Sequence, residues 1–299
     1  MSRNRILDMF SIIMASIVLM SCNDNTVESA APTDPLAQEH WYDGKAEISS
    51  YKLEQARYGE VHKGQAVMIF VTEDFSKKSW TKADNPTDKD VPVMKLNFTK
   101  NFNTGIYPYS MMLSTFFPFN DGKNAVKVSA SMQEWCGHTY MELRNKKQFE
   151  VRVDSYFEGE SEEEIKLDKT YLEDDFWTII RLNPENLPIG NAKVIPSFFY
   201  VRLAHVDLKA YDCKLSTQPN GEVTDYQFNF PDLERSVTIT YETAFPHKIM
   251  GWKETYFSGW GDKRQELTTT AELNKSIRTD YWTKNSVADS TYRTELGLE

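Results

Sequence analysis

The chain has little that announces a reaction. It holds 3 cysteines and 5 histidines in 299 residues, and His40, His62, His205 and His247 show none of the spacing that gathers ligands round a metal. Walker loop, H-E-x-x-H helix and dinucleotide fingerprint are all missing, so nothing calls for a metal or a cofactor. Basic residues are scarce as well, 34 Lys and Arg against 44 Asp and Glu for a net charge of −10. That balance argues against nucleic acid as a partner. Past the N-terminus, no apolar run reaches the ~18 residues of a membrane-spanning helix.

What is present begins with an address. Arg3 and Arg5 precede the apolar run MFSIIMASIVLM, short for a membrane span but right for the core of a secretory signal. The run ends in Leu19-Met20-Ser21-Cys22, the pattern of a bacterial lipobox, and the polar stretch NDNTVESAAPTDP follows. The reading is a leader over residues 1–21, a diacylated Cys22 as the mature N-terminus, a flexible tether over 22–39 and a single β-rich domain over 40–299. Losing Arg3, Arg5 and Asp8 with the leader makes the mature chain one charge more negative. Two or three acyl chains, such as palmitate, hold where a single chain binds only marginally. The expected place is a bacterial membrane, most naturally the outer one, with the domain periplasmic or surface-exposed. An ordinary signal cleaved near Ala30-Ala31 is the alternative.

Period-two alternation dominates the rest. It predicts strands near 45–58 and 65–74 around a turn at Val61-His62-Lys63-Gly64, then 92–101 and 109–117, then a long hairpin pairing 125–144 with 148–157. EGESEEE, residues 158–164, lacks the spacing of a calcium loop and reads as a solvated acidic loop. Thr170-Tyr171-Leu172-Glu173 has the form of a capping box ahead of a helix carrying Leu172, Phe176, Ile179 and Ile180 on one stripe, ended by Asn183-Pro184. Further strands are expected at 193–202, 205–215, 222–230, 235–242, 248–257 and 265–276, with a short helix from Val287 to Leu296 between Ser286 and Gly297. The fold class is therefore mainly β: a large curved antiparallel sheet, half-barrel or barrel, with one or two short helices. Two β lobes or a sandwich is the alternative.

Cys136, in QEWCGHTY, is read as a packing residue on a central strand, on one face with Val126, Val128, Ala130, Met132, Glu134, His138 and Tyr140. Thr139 stands where a redox motif needs a second cysteine. Cys136 and Cys213 are nevertheless an even pair in an oxidising compartment, open to a disulfide. Four charges fall on faces that otherwise look apolar: Glu134, Arg202, Arg235 and Glu254, the last between Trp252 and Tyr256. Gathered inside one curved sheet they would make the polar floor of a pocket for a ligand head group. Scattered at strand ends they would only deter edge pairing. Met111, Met112, Phe116, Phe117 and Phe119 would offer a flexible apolar surface for a lipid or peptide, or plain core.

WYDGKAEISSYKLEQARYGE, LNFTKNFNTGIYPYSMM, QEWCGHTY and FPHKIMGWKETYFSGWG resemble segments of an uncharacterised lipoprotein family of Bacteroidota, over most of the mature chain. The resemblance implies a compartment and β structure, and no activity. Some members carry the label septum formation inhibitor Maf, which would imply a nucleotide pyrophosphatase; the S-x-S-x-R-R motif of that activity is absent. Strand count and lipobox are similar to those of half-barrel periplasmic lipid carriers. The combined expectation is a non-catalytic envelope lipoprotein that binds a lipid, a glycan or an envelope protein through its β domain. The rival is a hydrolase using Glu134 and Glu254 as acid and base, which requires both carboxyls in one open cleft.

Overall fold

Apolar residues at every second position put one face of a long meander inward, and in the computed structural model, which describes residues 35–119, 122–160 and 163–298, that meander curls round a helix. The leader, Cys22 and the tether up to residue 34 lie outside the described residues. The chain opens with α1 (Pro35–Trp41), then β1 (Ala46–Arg57), β2 (Glu60–Ser76), the two-residue β3 (Thr81–Lys82), β4 (Val91–Thr104), β5 (Tyr107–Pro118), β6 (Lys127–Glu134), β7 (Gly137–Asn145), β8 (Phe149–Ser155) and β9 (Glu163–Leu167). After β10 (Tyr171–Leu172) come α2 (Glu173–Leu182), β11 (Gly190–Ile195), α3 (Phe198–Ala204), β12 (Tyr211–Asn220), β13 (Val223–Phe230), β14 (Arg235–Glu242), β15 (Ile249–Ser258), β16 (Gln265–Thr279) and α4 (Thr291–Glu295).

All sixteen strands form one open, curved sheet in the order β10-β11-β12-β13-β14-β15-β16-β1-β2-β4-β5-β6-β7-β8-β9, with β3 beside β2. Neighbours are antiparallel except for the short β10–β11 pair. The first long strand pairs with the last, Ala46 facing Thr279, so the two ends of the chain meet in the middle of the sheet. Its outer edges, β9 and β10, are consecutive in sequence.

Helix α2 lies within the curve. Trp177 meets Phe98 of β4 and Trp252 of β15 edge-on at 5.4 Å each, and Phe176 meets Tyr226 and Phe228 of β13 at 5.3 and 5.4 Å. Thr178 bonds Thr115 of β5. A helix touching strands so far apart in the sheet order has to run inside it. Glu173 through Arg181 are all buried, and fully burying the aromatic members contributes about 1.5–3 kcal/mol each. The expected stripe of Leu172, Phe176, Ile179 and Ile180 is part of this core.

The single sheet excludes the two-lobe and sandwich alternatives, and several local expectations need correction. The β1–β2 turn falls at Tyr58-Gly59, not residues 61–64, with both residues at positive φ. The supposed strand 125–144 is two strands joined by a two-residue turn at Trp135-Cys136. Residues 193–202 split into β11 and α3, and the next strand starts only at Tyr211. The acidic stretch gives way to β9 at Glu163. No side chain caps α2; the Thr170 hydroxyl donates instead to the Lys193 carbonyl at 2.5 Å. The presumed tether is helical from Pro35, and Ala37 and Trp41 pack into the core. Ser286 and Asp289 do form a capping box, ahead of a 3-10 turn that leads into α4.

Candidate binding site on the outer face of the sheet

The inward-facing charges divide into two groups. Arg235 is buried and holds two acids: its Nη atoms reach both oxygens of Glu173 at 2.6 Å, and Nε donates to Glu254 at 2.8 Å. Its guanidinium lies 4.0 Å above the Tyr200 ring, and the two carboxylates hold its pKa above the usual arginine value despite burial. Glu173 also accepts from the Ser197 amide, and Asp174 from the Phe198 amide at 3.1 Å, so the acidic start of α2 caps α3. A second buried pair ties Arg181 to both oxygens of Glu47 at 2.7 Å. Such pairs roughly break even when intact and are costly when broken. Trp252 packs edge-on against Phe98 at 5.2 Å, and the Tyr256 hydroxyl donates to the Ala56 carbonyl at 2.5 Å. The Lys100 ammonium sits 5.3–5.7 Å from the rings of Phe98, Phe199 and Trp252, its pKa lowered by desolvation. Arg235, Glu254, Trp252 and Tyr256 are thus brought together, as core and not as the floor of a pocket.

Glu134 and Arg202 lie apart from that group, at one rim of the curved sheet. They share a narrow cleft with Arg57, Tyr109 and Phe157 whose free space, about 10 Å³, is at the limit of what one water needs. Arg202 reaches Glu160 at 3.5 Å and stacks 4.3 Å over Phe157. It sits on helix α3, not on a strand shared with Phe198, Tyr200 and Val206. Glu134 accepts the Cys136 amide at 2.7 Å. The hydrolase arrangement is therefore not assembled: Glu254 is sealed against Arg235 while Glu134 faces the rim. Cys136 is an exposed turn residue and Cys213 a buried one, both free thiols, so neither the central-strand packing of Cys136 nor the disulfide is found. The Met-Phe cluster is also dispersed, since alternation sends Met111 and Phe117 inward and leaves Met112 on the outer face.

The two-residue turn at Trp135-Cys136 has a consequence for phase. Glu134 pairs with Gly137, Met132 with Thr139 and Gln133 with His138. Inward positions are even on β6 and odd on β7, so His138 and Tyr140 point outward, opposite to the face expected for them. Two transverse rows of outward side chains result. One runs Ser110, Gln133, His138 and the other Met112, Ser131, Tyr140, Asp154. Tyr156 follows β8, its amide bonded to the His138 carbonyl.

Serines on β5 and β6 keep the middle low while Met112, Tyr140 and Tyr156 stand at the sides, and the result is a trough of about 550 Å³. That volume falls in the ~300–1,000 Å³ range of ligand sites. Tyr156 is 76 % exposed yet held in place. A Cβ on Gly137 would stand 2.7 Å from its Cδ1 atom, so the side chain packs directly against a glycine backbone, an aromatic covering of a bare strand position. The Tyr140 hydroxyl donates to Glu142 at 2.8 Å, and burial, with that carboxylate, pushes its pKa up to about 12. Arg152 neutralises Asp154 at 2.8 Å. Among the described residues, the side chains of Ser110, Ser131, Gln133 and His138 make no hydrogen bond. The trough thus presents two aromatic rings, a thioether and several free donors and acceptors, with its one acid already paired. Sequence reasoning missed it by reading through a turn built from Trp and Cys; the glycine directly after them was the available signal.

No family model matches this sequence, and no curated protein matches it. Among solved structures, a β-barrel-like protein of domain of unknown function DUF1849 from Brucella abortus is similar over 78 % of this chain and 97 % of its own, at 10 % identity and a TM-score of 0.36. A porin-like protein from Bacteroides uniformis is similar over 77 % of this chain and 95 % of its own, at 8 % identity and a TM-score of 0.26.

Proposed function

We propose that the chain is a cell-envelope lipoprotein, acylated on Cys22 and held to a bacterial membrane, whose β domain binds a partner on its outer face without catalysing a reaction. The filled interior supports the second half of this reading. α2 and its ion pairs occupy the space in which a half-barrel lipid carrier would hold an acyl chain, whereas the trough over β5 to β8 is open. The order of the chain supports the orientation. Helix α1 packs at the end of the curved sheet opposite the Trp135-Cys136 turn, where the Thr72 hydroxyl donates to the Trp41 carbonyl and Arg278 to the His40 carbonyl. On this reading the tether, which reaches at most about 45 Å, joins the domain at the end away from the trough and leaves the trough clear of the attachment point.

Two experiments test the two halves. Cys22→Ser should abolish incorporation of a palmitate analogue and move the protein from the membrane to the soluble fraction; retention of label would refute the anchor. A photo-crosslinking amino acid at Gln133 should capture an adduct in cells that the same group at Lys253, exposed on the far side of the sheet, does not. Equal capture at both, or none at either, would refute a binding face over the trough.

A further inference from the structure

Resting on that binding reading, we infer that the trough takes a neutral, hydroxyl-rich glycan chain. Three features select this chemistry. Hexopyranose rings have an apolar face of C–H bonds, and two aromatic surfaces meet it here: Tyr140, 37 % exposed, and Tyr156, 76 % exposed and braced over Gly137. Their edges carry hydroxyls that both donate and accept, and the rows between the rings hold the matching groups, Gln133, His138, Ser110 and Ser131. Charge is balanced. The acid in the trough, Asp154, is bound to Arg152, and Glu142 beside it is held by Lys127 at 2.8 Å and Arg144 at 2.7 Å. Among the described residues no Lys or Arg lines the trough, and Arg152 beside it is engaged by Asp154, so the lining offers no fixed, unpaired cation to a phosphate or a carboxylate group. The rows of small and polar side chains cross the neighbouring strands β5 to β8, an elongated arrangement that suits a chain rather than a compact molecule.

The geometry assigns Tyr156 as the main stacking platform and the Gln133–His138 row as the hydrogen-bonding floor. The test measures binding of unbranched β-1,4-, β-1,3- and α-1,6-linked neutral hexaoses to the whole mature protein in detergent, by calorimetry and by Tyr and Trp fluorescence. At least one hexaose should bind with an affinity unchanged between low and high salt. Tyr156→Ala should weaken it at least tenfold and Tyr156→Phe should keep it, because the face and not the hydroxyl does the stacking. Gly137→Ala, whose Cβ would stand within 3.0 Å of Cβ, Cγ and Cδ1 of Tyr156 and so displaces that side chain, should weaken it comparably. These positions are exposed or at a turn, and an unchanged melting temperature will show that each variant is folded. Absence of binding by folded wild type, or equal binding by wild type and Tyr156→Ala, would overturn the inference. If the Gln133 crosslinker captures a protein while no glycan binds, the glycan assignment fails and the binding face stands; if it captures nothing, both fail.

Discussion

Asp175 supplies the sharpest test of how the interior is held. Its carboxyl is buried at the start of α2; one oxygen accepts the Ala125 amide at 3.0 Å and the other has no partner among the described residues. Burial raises its pKa from 3.8 to about 8, and the same cause raises that of Asp174 to about 7. A folded-state pKa above the unfolded one means the native state holds a proton that the unfolded chain has released. Stability is then full below about pH 4 and falls as pH rises toward 8. At pH 7 the difference for Asp175 is roughly three pH units, or ~4 kcal/mol. Asp175→Asn replaces the protonated acid with a permanently neutral group of the same shape. It can still accept from Ala125, while its extra N–H adds ~1–3 kcal/mol of unsatisfied donor. The expected gain is ~1–3 kcal/mol at pH 7, or roughly 2–8 °C in melting temperature for a chain of this size, and it turns into a loss at pH 4, where only the ~1–3 kcal/mol donor penalty is left. Paired urea melts at the two pH values measure it. A difference between variant and wild type that does not change with pH would refute the argument that Asp175 is neutral in the fold.

Glu47 should act in the opposite sense. Desolvation would raise its pKa, but Arg181 and the hydrogen bonds to the carboxylate prevail and lower it to about 2. Its contribution, ~3 kcal/mol, is present above about pH 4.5 and lost as pH falls toward 2, so acid unfolding should begin in that window, as circular dichroism would show; a fold intact at pH 2 would refute it. Arg235→Ala strands Glu173 and Glu254 in the core and should cost ~3–5 kcal/mol, seen as a fall of about 10 °C in a thermal melt; a fall under about 2 °C would mean that water reaches these acids. Cys136 should react with a maleimide in the native protein, slowly because its hydrogen bond to Glu134 raises the thiol pKa, while Cys213 reacts only after unfolding. Intact-mass analysis showing two rapid additions, or a two-dalton deficit, would contradict the free and buried thiols described here.

Long strands with clean alternation were legible in the sequence. β4, β5 and β13 to β16 lie within a few residues of their expected places, because a half-buried strand has period two whatever it packs against. The failures have physical causes. Phe198-Phe199-Tyr200-Val201 is aromatic and β-branched, and a short apolar run of that kind suits a buried helix as well as a strand. Tyr58 adopts a left-handed conformation that few non-glycine residues take, which hid the β1–β2 turn. Glu173, Asp174 and Asp175 look like the solvated first turn of a helix, yet they are buried: Glu173 holds Arg235, Glu173 and Asp174 accept amides at the start of α3, and Asp175 accepts the Ala125 amide. Arg235 and Glu254 could be singled out as charges on apolar faces; their shared partner on α2 could not, since no periodicity links a helix to a strand sixty residues away.

The pairing of β1 with β16 also dictates when the molecule can be finished. Synthesis runs from the N-terminus, so β1 to β9 can zip up as local hairpins while the remainder is still to be made. The free side of β1 must then wait, unpaired and prone to join a neighbouring chain, until residues 265–279 arrive. Exposed Lys52 and Glu54 on that strand are the kind of charges that discourage premature pairing. A chain cut after Lys263 would keep both β1 and β15 as open edges and should sediment as aggregate, whereas one cut after Lys284 keeps the whole seam, loses its bonds to the Leu296 carbonyl from Ser50 and Asn274, and should aggregate far less. On this argument it is completion of the seam, rather than growth of the core, that commits the chain to its fold.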